Sequence, residues 1–174
     1  CAMTAWNLVH VAARVTAGQT VMVHSAAGAV GLMLTQLARD AGARVIGLVG
    51  GPAKMAFAAP FGADTLIDYC EPDWPERVRA ATSGRGVDVV FDGNGGPNGV
   101  HNITLTAPLG QIFLIGANAG SYASLPDSAQ LIARNLRVGG FTLGTIEALD
   151  RERADREIVD AVVSGRWRVP IGAQ

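Results

Sequence analysis

The chain has 174 residues, 49% hydrophobic and 17% charged, which suffices for one domain with a substantial core and excludes a disordered polymer. Fourteen Lys and Arg against fifteen Asp and Glu leave a net charge of −1, so the basic footprint of a nucleic-acid binder is missing. Two cysteines, Cys1 and Cys70, cannot build a disulfide scaffold. The longest uncharged runs, Val15–Ala38 and Gly93–Pro126, are broken by Gly, Ser, Thr, Asn and Gln and do not read as membrane spans. No signal peptide is evident, and Cys1 in place of a starting Met points to a trimmed chain. The expectation is a soluble, cytoplasmic protein that contacts neither membrane nor nucleic acid.

In chain order, a leading helix is expected over Thr4–Val15. Continuous apolar runs then predict strands at Thr20–His24, Arg44–Val49, Thr65–Asp68, Val87–Asp92, Gln111–Gly116 and Val138–Leu143, buried on both faces because they do not alternate. Helices are expected between them at Ala29–Ala41, Pro52–Phe61, Asp73–Ser83, Asn98–Thr106 and Pro126–Asn135. A trailing helix covers Ala148–Ser164 and stops at Gly165, its mixed charges reading as a solvated face. Asp73 is the expected N-cap of the helix carrying Pro75, and Gly42 and Gly62 are expected to end theirs. Strand–helix alternation with short connections predicts an α/β fold: a Rossmann-type, doubly wound parallel sheet of six strands with helices on both faces.

After the first strand comes Ser25-Ala26-Ala27-Gly28-Ala29-Val30-Gly31, opening the first long helix. This strand–loop–helix context is the one a dinucleotide loop requires, although Ala26 replaces the first glycine. Gly28 lets the backbone approach a pyrophosphate, Gly31 lets helix and strand pack closely, and the Ala29 and Val30 amides supply donors at the positive end of the helix dipole. An acid about 20 residues further on would favour an unphosphorylated ribose. The second strand instead runs into Gly50-Gly51-Pro52-Ala53-Lys54, and Lys54 is the only lysine in the chain. That points to a 2′-phosphate. Tyr69, ending the third strand, lies about 5 Å from the second in this strand order. A second glycine-rich run, Asp92–Gly99, lacks the phosphate-loop spacing; it is expected to line the cleft, with Asn94 as a cofactor contact or a turn residue and Asp92 capping its strand. His10, His24 and His101 are scattered and read as structural.

These segments together resemble the cofactor domain of the medium-chain dehydrogenase/reductase superfamily, in particular its zinc-free quinone oxidoreductase branch. The resemblance runs through Thr4-Ala5-Trp6, His24–Gly31, Gly50…Lys54, Gly62-Ala63-Asp64, Ile67-Asp68-Tyr69, Gly86–Asp92, Gly110–Gly116 and Gly165–Gly172. Ala29 departs from the family's second loop glycine, and Gly93 from a small hydroxyl residue. The resemblance implies NADPH as cofactor, Gly50, Lys54 and Tyr69 around its 2′-phosphate, and Ile115–Gly116 facing the nicotinamide. It implies hydride transfer to a quinone or α,β-unsaturated carbonyl, and a homodimer formed through the edge strand near Phe141–Leu143.

It also implies a substrate cleft completed by a catalytic domain outside residues 1–174, so no catalytic residue is assigned within the chain. The mean hydropathy of +0.26 agrees with apolar surface made to face a partner. Zinc ligation is not expected, since Cys1 has no second or third ligand nearby. A short-chain dehydrogenase would need Tyr-x-x-x-Lys, which neither Tyr69 nor Tyr122 has. A methyltransferase would want an acid where Gly50 and Gly51 stand. Two alternatives share the fold: the enoylreductase domain of a modular polyketide-type synthase, and a non-catalytic nucleotide-binding protein.

Overall fold

The computed structural model describes residues 1–121, 128–145 and 151–170. Six strands form one parallel sheet: β1 (Thr20–Val23), β2 (Arg44–Val49), β3 (Thr65–Asp68), β4 (Val87–Asp92), β5 (Thr106–Leu114) and β6 (Arg137–Gly140), in spatial order β3-β2-β1-β4-β5-β6. Around them lie α1 (Ala2–Asn7), α2 (Ala29–Asp40), α3 (Pro52–Ala58), α4 (Trp74–Ala81), α5 (Asn102–Leu105), α6 (Ser128–Arg134) and α7 (Arg151–Val163). The doubly wound α/β reading is correct.

Alternate residues of the central strands feed two cores. Val21, Val23, Val45, Val49, Val89 and Phe91 face the layer of α1, α2 and α7. Met22, Ile46, Leu48 and Val90 face Trp74 and Val78 of α4 and Leu105 of α5. Covered on both sides, these strands read as unbroken apolar runs rather than alternating ones. α1 is clamped to α7 by the Trp6 indole, which donates to Glu157 Oε2 at 2.8 Å while Arg153 lies over the ring. Burial holds His10, beside Trp6, below the usual histidine range, against the opposing pull of Glu157.

The structure corrects several boundaries. The leading helix starts at Ala2 and from Leu8 to Ala12 widens into a π-type turn, with Ala13 N–H bonding Leu8 O, so it stops short of Val15. β5 begins at Thr106, where a helix was expected. Its first residues carry a bulge against β4, with Leu109 at φ +66° and Gly110 too crowded by Ala107 O and Asp88 O for any Cβ. Pro108 and Gly110 read as strand breakers; here they build the bulge. The Asn98–Thr106 helix is a 3₁₀ turn, Gly96–His101, followed by the short α5. β6 ends at Gly140 rather than Leu143, because Leu143–Thr145 winds into another 3₁₀ turn. Asp73 occupies the N-cap of α4 but makes no side-chain cap bond. Gly42 and Gly62, at φ +82° and +91°, end their helical segments as expected. The expected starts at Pro126 and Ala148, the Tyr122 position and the close at Gly172 lie outside the described residues.

Candidate functional site

All strands run the same way, so the loops leaving β1, β2, β3, β4 and β5 gather at one edge of the sheet. The β1 loop turns through Ser25, a non-glycine residue at φ +52°, whose carbonyl accepts the Gly28 N–H at 2.8 Å. α2 then starts at Ala29 behind an N-cap, Gly28, that has no side chain to satisfy the first-turn amides. Those donors have no intrahelical acceptor and face outward. α2 lies so close to the loop that a Cβ on Gly31 would collide with the Ser25 carbonyl oxygen and stand 2.8 Å from Ala26 Cα. Gly31 is thus a clearance residue, as its spacing predicts.

Two cavities open at this edge. The larger, about 480 Å³, includes Ala27, Gly28, Gly50, Lys54, Tyr69 and Asn94 in its wall. The smaller, about 250 Å³, is bordered by Gly28, Ala29, Val30, Gly31 and Ile115. They share Ser25, Gly28 and Asn118. Ten of the twelve sequence-predicted residues therefore border this cleft of two adjoining cavities. The other two support it: Ala26 is buried and donates its N–H to Leu48 O, and Gly116 packs on Gly93, whose carbonyl oxygen would lie 2.9 Å from a Cβ there.

At the far end of the larger cavity a Cβ on Gly50 would stand 2.7 Å from the Tyr69 hydroxyl, so Gly50 makes room for that ring. Gly51 follows at φ +94°, and its N–H and that of Cys70 both donate to Asp68 Oδ1 at 2.9 Å. These bonds, that from Cys70 the stronger influence, hold the Asp68 carboxyl below its ordinary range. Asp68 is therefore occupied in fixing the loop. Burial, with Cys70 and Asp68 nearby, pushes the Tyr69 phenol up, so it remains a donor at neutral pH. Lys54 stands exposed on the first turn of α3.

On the opposite wall, Asp92 Oδ1 accepts the N–H groups of Asn94 and Gly95 at 2.9 and 2.8 Å, and its Oδ2 accepts Asn102 Nδ2 at 2.8 Å. Asp92 thus holds the loop after its strand. Asn94 is 5% exposed and accepts a long bond, 3.4 Å, from the Ser25 hydroxyl. His24, behind the smaller cavity, bonds Asn102 Oδ1 at 2.8 Å, and burial lowers its pKa more than Asp92 and Asn102 raise it.

Sequence reasoning missed Ser25, Phe57 and Asn118 as cleft residues. Ser25 directly precedes the loop and Phe57 follows Lys54 by three positions on α3, spacings that put each on the same wall. Asn118 carried no periodic signal. Among the described residues no group of three His, Cys, Asp or Glu side chains stands together to hold a metal ion.

Comparison with known proteins gives the family and the fold. The family model described as zinc-binding dehydrogenase matches residues 29–159. A 2-haloacrylate reductase from a Burkholderia species is 33% identical over 158 residues, covering 91% of this chain and 46% of that protein. A phthioceranic/hydroxyphthioceranic acid synthase of Mycobacterium tuberculosis is 32% identical over 149 residues, 86% of this chain but 7% of the synthase. The crystal structure of Escherichia coli quinone oxidoreductase complexed with NADPH superposes with a TM-score of 0.89 at 27% identity, covering 98% of this chain and 53% of that one. The chain thus spans about half the length of the reductase and a small part of the synthase.

Proposed function

We propose a function for a chain that belongs to the zinc-binding dehydrogenase family, within the medium-chain dehydrogenase/reductase superfamily: residues 1–174 are the NADP(H)-binding domain of an oxidoreductase that moves hydride from NADPH to a quinone or an α,β-unsaturated carbonyl. One observation carries this reading. The cleft joins an uncapped helix N-terminus to a wall bearing Lys54, Tyr69 and Gly50, and among the described residues that line it there is no Asp or Glu. The amides of Ala29 and Val30 suit a pyrophosphate. Lys54 supplies the charge for a 2′-phosphate, and the protonated Tyr69 hydroxyl a second donor. Asp68 stays out of competition because two backbone amides hold its Oδ1. Ile115, on the smaller cavity, gives an apolar face to the nicotinamide end.

The cofactor, when bound, supplies the hydride; this chain's residues bind and orient it. Carbonyl substrate contacts belong to a catalytic domain elsewhere in the parent protein. The same reading takes the protein as cytoplasmic and as a homodimer paired near Phe141–Leu143, just past the edge strand β6, which bonds a neighbour, β5, on one side. Among the described residues no helix is long and apolar enough to cross a membrane. The similarity to the synthase supports a second reading, an enoylreductase domain of a polyketide-type synthase. Reduction of enoyl thioesters but not free quinones by the parent would select it.

The test is a titration with NADPH and NADH, repeated on Lys54→Ala. A charge-assisted hydrogen bond is worth about 1.5–3 kcal/mol, so NADPH is expected to bind about ten- to a hundredfold more tightly, and the substitution to erase most of that margin. Equal affinity for both overturns the Lys54 assignment, and binding of neither overturns the cofactor reading.

A further inference from the structure

Three polar side chains buried beneath the cleft are not accounted for by cofactor contacts: His24, Asp92 and Asn102 are each 2% exposed or less. They come from the ends of β1 and β4 and the start of α5, 68 and 78 residues from His24 in sequence. Their donors and acceptors fit in one order only. Asp92 takes N–H bonds from Asn94, Gly95 and Asn102, so it presents acceptors throughout. Asn102 must therefore turn its NH₂ toward Asp92 and its Oδ1 toward His24. That oxygen accepts, so His24 Nε2 carries the ring proton. Nδ1 is then a bare acceptor, and it has no hydrogen-bond partner, standing 4.0 Å from Asp92 Oδ1. Trp74 packs edge-on against the ring and confines it.

Burying three polar groups is costly where apolar side chains would fill the same space, and a partly satisfied set costs more. What this set does is directional. It starts at His24, next to Ser25 on one wall of the cleft, and ends on the amides of Asn94 and Gly95 on the other. We propose that His24 is a positioning residue: through Asn102 it fixes Asp92, and so holds the Asn94–Gly95 backbone against the Ser25 loop at the separation NADPH requires. This rests on the reading of the cleft as an NADPH site. His24 borders the smaller cavity, and its part in the proposal is to set where Asn94 stands.

The unaltered protein, His24→Phe and His24→Gln are titrated with NADPH, and thermal midpoints are recorded. Phe keeps a ring but removes the donor, whereas Gln retains an amide donor. The expected result is a Kd about tenfold higher for His24→Phe and within about threefold of the parent for His24→Gln. Variants that change the midpoint but bind NADPH like the parent overturn the proposal, as does a Gln variant that fails to recover affinity. Should His24→Phe not fold, ¹⁵N shifts of the His24 ring in the unaltered protein decide: protonated Nε2 with bare Nδ1 is expected, and an Nδ1-protonated ring overturns it. Failure of the unaltered protein to bind NADPH overturns both readings together, whereas binding that is indifferent to His24 overturns this one alone.

Discussion

The two glycine-bearing loops that meet over the sheet, residues 25–31 with two glycines and 92–99 with four, have opposite construction. In the first, glycine provides clearance: Gly28 has an ordinary extended φ of −82°, and Gly31 admits the Ser25 carbonyl where a Cβ would stand. In the second, glycine provides the turn, with Gly95 and Gly96 at φ +65° and +62°. The first runs into the twelve residues of α2 and leaves its opening amides free. The second passes through a 3₁₀ turn, and Asp92 has already taken the amides of Asn94 and Gly95. Glycine content does not separate the two loops. What separates them is that the first opens a helix whose N-cap has no side chain to take its first donors.

This contrast can be broken by substitution. Gly31→Val should have the largest effect, since the nearest atoms are backbone and cannot swing aside. A loss of about 3 kcal/mol or more is expected in denaturant unfolding, with NADPH binding abolished; near-parental stability would show that α2 can move away from its loop.

A smaller effect is expected from acid. Burial holds His24 and His10 below their ordinary value of 6.5, so the unfolded chain binds more protons than the native one just below that pH. Stability is complete above about pH 6.5, falls as pH drops toward the native-state pKa values, and then levels. The thermal midpoint should fall by a few degrees in that window, and His24→Gln should flatten part of the slope; an unchanged slope would assign it to His10. Gly93→Ala should do least. Its nearest foreign atom to a Cβ is Ile115 Cγ1 at an ordinary 3.6 Å, so a cost below about 0.5 kcal/mol is expected by thermal unfolding. A larger cost would mean that the second loop also depends on clearance.

The central sheet was legible because burial on both faces leaves unbroken runs of Val, Ile and Leu, and β1 to β4 lie within a residue of their expected limits. β5 was legible from Gln111 to Leu114 but not before, because its bulge is built from Pro108, Leu109 and Gly110, residues that in isolation signal a break. β6 was overextended because Phe141 looks like strand; its N–H still bonds Leu114 O, but the chain then winds away. In the cleft, the positions of Gly28, Gly31, Gly50 and Lys54 were readable, since each follows from local spacing. Asn118 was not, because its place in the cleft depends on loops from different strands meeting. The His24–Asn102–Asp92 order was beyond reach for the same reason: three buried polar residues far apart in sequence acquire meaning when their lone pairs and protons are matched in space.

Lys54 carries the one side-chain amine among 174 residues, and it stands exposed at the rim of the larger cavity. An amine-directed reagent therefore has a single side-chain target, located where a phosphate is expected to arrive. A fluorophore or an isotopic methyl group placed on that nitrogen would sit at the cleft by chemistry alone, without mutagenesis. Its reactivity would then be a direct gauge of occupancy, since an amine paired with a phosphate is a poor nucleophile and a free one is not.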